Sequence, residues 1–164
     1  MTSVLEKDIG KWFSEHIPEG WFTAPAEVAA DDDEILVTGA LPDGDPGSVA
    51  AFRESTRKER IEVAVGAQKL FGRKVSWAVT HKGAFKPFTG LGVPVMTRLR
   101  LRERRLLDTL IDGGIARSRS DALAWCARLV ASNEGEWIGK LREAFQKVED
   151  VRSTGPDPDS PNDS

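Results

Sequence analysis

The chain has 164 residues, 40% of them hydrophobic, with one cysteine and 23 basic against 26 acidic side chains. Such a length suits one domain or two small ones; the apolar share excludes a globally disordered chain, and a single cysteine excludes a disulfide scaffold within the chain. The net charge of −3 is unevenly spread: residues 1–45 carry −9, residues 46–132 carry +10 and residues 133–164 carry −4. A basic centre between acidic ends suits contact with a polyanion, and equally suits ends that fold over the middle. Met1 to Asp8 hold two acids and no long apolar run, and no stretch approaches the roughly 20 apolar residues of a membrane span. The expectation is a cytoplasmic protein without membrane contact.

In chain order, Ser3 and Glu6 read as a capping box, opening a helix whose face is Leu5, Ile9, Trp12, Phe13 and Ile17 and which Pro18 stops. Trp21 to Ala30 and Ile35 to Ala40 read as a β-hairpin around Asp31-Asp32-Asp33-Glu34. Three adjacent aspartates could suggest a metal, but the alternating ligands of a calcium loop are missing, and a polar turn is expected. Leu41 to Gly47 is a loop by its turn residues. A helix runs from Ser48 to Phe71 with a break near Ser55-Thr56, and Gly72 stands where a left-handed closing glycine belongs. Arg53, Arg57, Lys58 and Arg60 interleave with Glu54 and Glu59; a solvated, salt-bridged face is preferred to a phosphate contact. Val75 to Thr80 alternates as a half-buried strand.

The order helix, strand, strand, helices, strand resembles that of type II KH-like RNA-binding domains. No Gly-x-x-Gly lies around Glu54 to Lys58, the loop with which such modules clamp a single strand. Lys82 to Gly92 is punctuated by Gly83, Pro87, Gly90 and Gly92 and reads as a connector.

Beyond it the pattern becomes specific. Thr97, Leu99 and Leu101 alternate with Met96, Arg98 and Arg100, a short strand with a wet face of arginines. A lone strand needs a partner for its backbone groups. From Arg102 to Asp112 the period is helical through Leu106, Leu107, Leu110 and Ile111, ending at Gly113-Gly114. Ser118 caps a second helix, Asp121 to about Ala131, with Ala122, Leu123, Cys126, Leu129 and Val130 inward.

Strand, helix, glycine turn, then Gly114-Ile-Ala-Arg-Ser-Arg-Ser-Asp-Ala-Leu123 resembles the ribbon-helix-helix DNA-binding fold of the Arc and Met repressor type, over about residues 94–131. The resemblance implies a homodimer whose paired strands enter the major groove of double-stranded DNA. Met96, Arg98 and Arg100 would then face base edges, and Arg117, Ser118, Arg119 and Ser120 would hold phosphate at a helix N-terminus. Independently of the resemblance, a two-fold axis supplies an orphan strand with its own copy, and arginine's planar fork matches guanine O6 and N7.

Asn133 and Glu136 read as a second capping box. They would open a last helix to about Val151 with Ile138, Leu141, Phe145 and Val148 on one stripe, a docking face for the N-terminal layer, the partner chain or a third protein. Residues 153–164 hold three prolines and three aspartates and no large apolar side chain, so a disordered acidic tail is expected. Cys126 on an apolar helix face reads as a buried structural thiol, and His16 and His81 lack metal spacing with it. No Walker loop or dinucleotide fingerprint occurs, so neither a metal, a cofactor nor an enzymatic activity is expected.

The expected class is α+β. Residues 1–86 form a domain with a small antiparallel sheet, 87–93 a linker, 94–131 the ribbon-helix-helix module, 132–152 a helix and 153–164 a tail. The expected function is transcriptional regulation or nucleoid association by a DNA-binding homodimer. Alternatives are a non-enzymatic dimerisation and protein-interaction module, or RNA binding through the KH-like layer.

Overall fold

The computed structural model describes residues 2–45 and 47–155, and the chain divides into two units, Met1–Pro94 and Val95–Ser164. The division falls one residue past the expected linker, 87–93, and that linker is not a free connector, since Phe88 belongs to the core of unit 1. The α+β class holds, with one four-stranded sheet and six helices among the described residues.

In unit 1, α1 spans Thr2–His16. Ile9 and Phe13, a helical turn apart, are buried in the core. The side chain of Ser3, half of the expected capping box, lies outside the described residues. Glu6 reaches elsewhere, its Oε1 accepting from the Ala30 N–H at 3.0 Å. The hairpin forms as β1, Glu27–Ala30, and β2, Glu34–Ala40, paired antiparallel with Ala30 opposite Ile35. It is shorter than expected at its start, because Trp21 and Phe22 turn into the core cluster instead of extending β1. Asp31 makes the turn: its Oδ1 accepts from the N–H groups of Asp33 and Glu34 at 2.9 and 2.8 Å. Those two bonds hold its carboxyl below the ordinary aspartate range,.

Two helices follow, α2 at Ser48–Ser55 and α3 at Arg57–Phe71. They break at Thr56, whose hydroxyl donates to the Phe52 carbonyl at 2.6 Å. Gly72, at φ 68°, closes α3 in the left-handed conformation,. The expectation of a wholly solvated basic face fails at Arg60, which is only 6% exposed. Its Nε donates to Thr56 Oγ1 at 3.0 Å and its Nη2 to the Arg53 carbonyl at 2.7 Å, while its guanidinium lies 4.9 Å from the Phe88 ring centre.

The crossover through α2 and α3 brings β3, Lys74–His81, parallel to β2. The expected antiparallel sheet is therefore mixed, because a strand that returns after a helical crossover runs in the same direction. One face of β2 and β3, with Ile35, Val37, Val75, Trp77 and Val79, packs with Ile9, Phe13 and Ala67 of the helices. β3 departs from the half-buried expectation, since Ser76 and Ala78 on the other face are buried as well. They are small side chains on a strand paired on both sides. β4, Ala84–Pro87, pairs antiparallel with β3 inside the expected connector. Its two-residue turn, Lys82-Gly83, has φ of 51° and 74°, the pair of positive angles that suits the strand twist of a tight hairpin.

Unit 2 holds α4, Leu101–Asp112; α5, Arg119–Ser132; and α6, Glu136–Ser153. Gly113 and Gly114 end α4 as expected, Gly114 at φ 75°. Leu107, Ala116 and Ala122 form a small core against Leu99, Leu110, Ile111, Leu123 and Cys126. Leu129 and Val130, expected inward, are exposed, as is Leu106. Cys126 is half-buried. Asn133 does not open α6; its Nδ2 donates to the Leu129 carbonyl at 2.8 Å and so closes α5, leaving Gly135 at the α6 N-cap. The α6 helix forms, but of its stripe only Ile138 is half-buried, while Leu141, Phe145 and Val148 are exposed. Residues 156–164 of the expected tail lie outside the described residues, and Ser153 ends α6. Among the described residues no helix is long and apolar enough to cross a membrane.

Candidate functional site

The segment expected to form the ribbon carries no regular secondary structure from Thr89 to Arg100. This corrects the strand at Met96 to Leu101. A strand is defined by a ladder, and among the described residues nothing pairs with this one. Leu101 leaves the strand pattern altogether and starts α4. Arg100 ahead of it is extended, at φ −84° and ψ 176°, within the broad β region.

The expected division of side chains holds only in part, since Thr97 and Leu101 of the supposed inner face are exposed as well. Met96 is 97% exposed, Arg98 and Arg100 are exposed, and Leu99 alone between Val93 and Arg100 is half-buried, in the α4–α5 core. Arg104 anchors the segment from the helix side, its Nη1 donating to the Leu99 carbonyl at 2.6 Å. The structure thus presents Met96, Arg98 and Arg100 to solvent beside a helical hairpin, with Leu99 as the tether.

The second part of the expected site is the start of α5. Ser118 is its N-cap, extended at φ −151°, with its Oγ accepting from the Asp121 N–H at 3.1 Å. Asp121 answers by accepting the Arg117 N–H on Oδ2 at 3.0 Å. This reciprocal cap leaves the Arg119 and Ser120 amides as first-turn donors without an intrahelical acceptor. The Arg117 side chain is exposed.

Arg119 is placed otherwise than expected. Its Nε and Nη2 donate to the two carboxylate oxygens of Asp108 at 2.8 and 2.9 Å, a bidentate pair joining α5 to α4. That hydrogen bonding holds the Asp108 carboxyl below the ordinary range and raises Arg119. Before Arg119 could bind phosphate it would have to leave this partner. Asp108 and Arg104 are the residues sequence reasoning missed. The signal for Asp108 was its charge opposite Arg119 across a short glycine turn; Arg104 bonds a backbone carbonyl, for which the charge pattern offered no signal.

Other chemistry is not gathered. His16 stacks on Trp12 with ring centres 3.8 Å apart, and its Nδ1 lies 2.7 Å from the Trp12 carbonyl. Among the described residues no group of His, Cys, Asp and Glu is assembled to hold a metal ion.

Comparison with known proteins gives matches inside both units. The family model of the Rv1265-like protein, N-terminal domain, matches residues 7–86, and that of the Mb1296 C-terminal domain matches residues 100–152. The uncharacterized proteins Mb1296 of Mycobacterium bovis and MT1303 and Rv1265 of Mycobacterium tuberculosis are each 47% identical over 157 residues, covering 90% of this chain and 70% of theirs. No solved structure matches.

Proposed function

The chain belongs to the Rv1265-like family, and for it we propose a homodimeric, cytoplasmic DNA-binding protein that reads duplex DNA with a two-stranded ribbon and acts as a regulator or nucleoid factor. The observation that carries this reading is the segment Val93 to Arg100, unpaired and almost wholly exposed beside two helices whose core is small. A second copy on a two-fold axis would supply the missing ladder. It would also give Leu106, Ile115, Leu129 and Val130, all exposed, an apolar partner. Dimerisation then places two copies of Arg98 and Arg100 on one face of the ribbon, and a good bidentate arginine–guanine pair discriminates by about 1–3 kcal/mol. The free Arg119 and Ser120 amides and the Arg117 side chain would sit at the flanking phosphates.

The test is duplex-DNA binding by fluorescence anisotropy across a salt series, with sedimentation to count subunits. The wild-type chain sediments as a dimer and loses affinity steeply as salt rises, through counterion release. Arg98→Ala with Arg100→Ala abolishes binding and keeps the dimer. A chain monomeric at all concentrations, or a double variant binding as tightly as wild type, overturns the proposal.

A further inference from the structure

Unit 1 carries an open cavity of about 570 Å³ between the start of α2 and the β3–β4 hairpin. This lies within the range of small-molecule sites. Its walls have two characters. Val49, Pro87 and Phe88 give it an apolar side, and Arg53, His81, Lys82 and Lys86 surround the opening, with no carboxylate among the described lining residues.

The basic groups converge for structural reasons. The tight Lys82-Gly83 turn returns β4 along β3, so Ala84 lies opposite His81 and Lys86 opposite Val79. Lys86 therefore stands on the helix-covered face of the sheet, at its edge. The Lys82 N–H donates to Asp43 Oδ1 at 3.2 Å, which fixes the turn. His81 is only 7% exposed, and its Nε2 lies 3.4 Å from Ser48 Oγ in the first turn of α2. Arg53 Nη2 donates to the Phe88 carbonyl at 3.3 Å, and its guanidinium carbon lies 5.6 Å from the Phe88 ring centre.

Behind that ring stands Arg60, a buried cation whose hydrogen bonds in the structure go to neutral oxygens. Burial first, and then repulsion from Arg53 and Arg57, lowers its proton affinity. Only Glu54 opposes these effects, and it is the smallest of the four; a buried charge so weakly compensated is costly, and a second cation beside it deepens the positive potential at the Phe88 wall. An anion in the cavity would relieve both.

We propose that this cavity binds a small organic phosphate of mononucleotide size, its phosphate held by Arg53, Lys82 and Lys86 and its apolar or aromatic body against Val49, Pro87 and Phe88. Three formal positive charges exceed what one carboxylate would neutralise and suit a phosphomonoester of about −1.5 to −2 charge. Arginine's planar fork suits phosphate oxygens. A polymer is disfavoured, because residues 1–94 carry a net charge of −3, so a long polyanion gains no attraction from the unit beyond the cavity.

The probes are AMP, phenyl phosphate, inorganic phosphate, adenosine and a single-stranded oligoribonucleotide, titrated into the full chain by calorimetry with amide NMR to map the contact. AMP or phenyl phosphate binds at least tenfold more tightly than inorganic phosphate and adenosine, and shifts Val49, Ala50 and Lys82 to Phe88. Lys82→Gln with Lys86→Gln, both exposed positions, keeps the melting temperature and weakens that binding at least tenfold; Arg53→Gln also weakens it at least tenfold. The proposal fails if neither organic phosphate outbinds inorganic phosphate, if the lysine variant binds like wild type, or if the oligoribonucleotide occupies these residues more tightly than AMP. The cavity lies wholly in unit 1, so this outcome is separate from that of DNA binding by unit 2.

Discussion

Gly39 makes the sharpest test of the packing in unit 1. It lies in β2 between Val37 and Leu41, and the Phe22 ring rests on its bare Cα. A Cβ at this position would stand 2.1 Å from Phe22 Cε1, 2.2 Å from Cδ1 and 2.3 Å from Cζ. Carbon pairs are most stable at about 3.5–4.0 Å, so the ring must withdraw by roughly 1.4 Å. It has little room, being 5.5 Å from Phe52 and 6.2 Å from Trp21 between ring centres. Overpacking of this kind costs about 1–3 kcal/mol, and the gain from replacing glycine in a strand returns about 0.5–1 kcal/mol of that. Gly39→Ala is therefore expected to destabilise unit 1 by a net ~0.5–2 kcal/mol, read as a lower urea midpoint with an unchanged slope. In a Phe22→Ala background the same substitution becomes neutral or stabilising, because the clashing ring is gone. If Gly39→Ala unfolds at the wild-type midpoint, or costs the same with and without Phe22, the close approach is not what selects glycine.

Two further outcomes concern unit 2. The Asp108 carboxyl is depressed by Arg119, so the stability from that pair is present above the ordinary aspartate range and is lost as pH falls through the depressed value. Acid titration of unit 2 followed by amide exchange should thus show a loss below about pH 4 that Asp108→Asn flattens; an identical acid limb in the variant would refute the role given to the pair. Leu107 is the one large side chain among the buried core of α4 and α5, and Leu107→Ala is expected to cost about 2–5 kcal/mol. Exchange protection should vanish from α4 and α5 and persist in β2 and β3, and a joint loss would contradict the division into two units.

Local signals carried much of this fold. The Asp31 turn, the break at Thr56, the left-handed Gly72, the glycine stop after α4 and the Ser118 cap all depend on groups within a few residues of one another. Such contacts are written in neighbouring letters. The Asn133 cap shows the limit even there: an asparagine between two helices can close the first or open the second, and the choice went to the Leu129 carbonyl.

The sequence by itself determined the α+β class, the helix and hairpin order, and a helical pair preceded by an arginine-bearing segment in residues 94–131. Only the tertiary structure decided that β2 and β3 run parallel, that Arg60 is buried behind Phe88, that Asp108 occupies Arg119, and that Arg53, Lys82 and Lys86 meet around one cavity. Each of these joins residues that are distant in the chain. Their energies depend on burial and on distance in space, and periodicity reports neither.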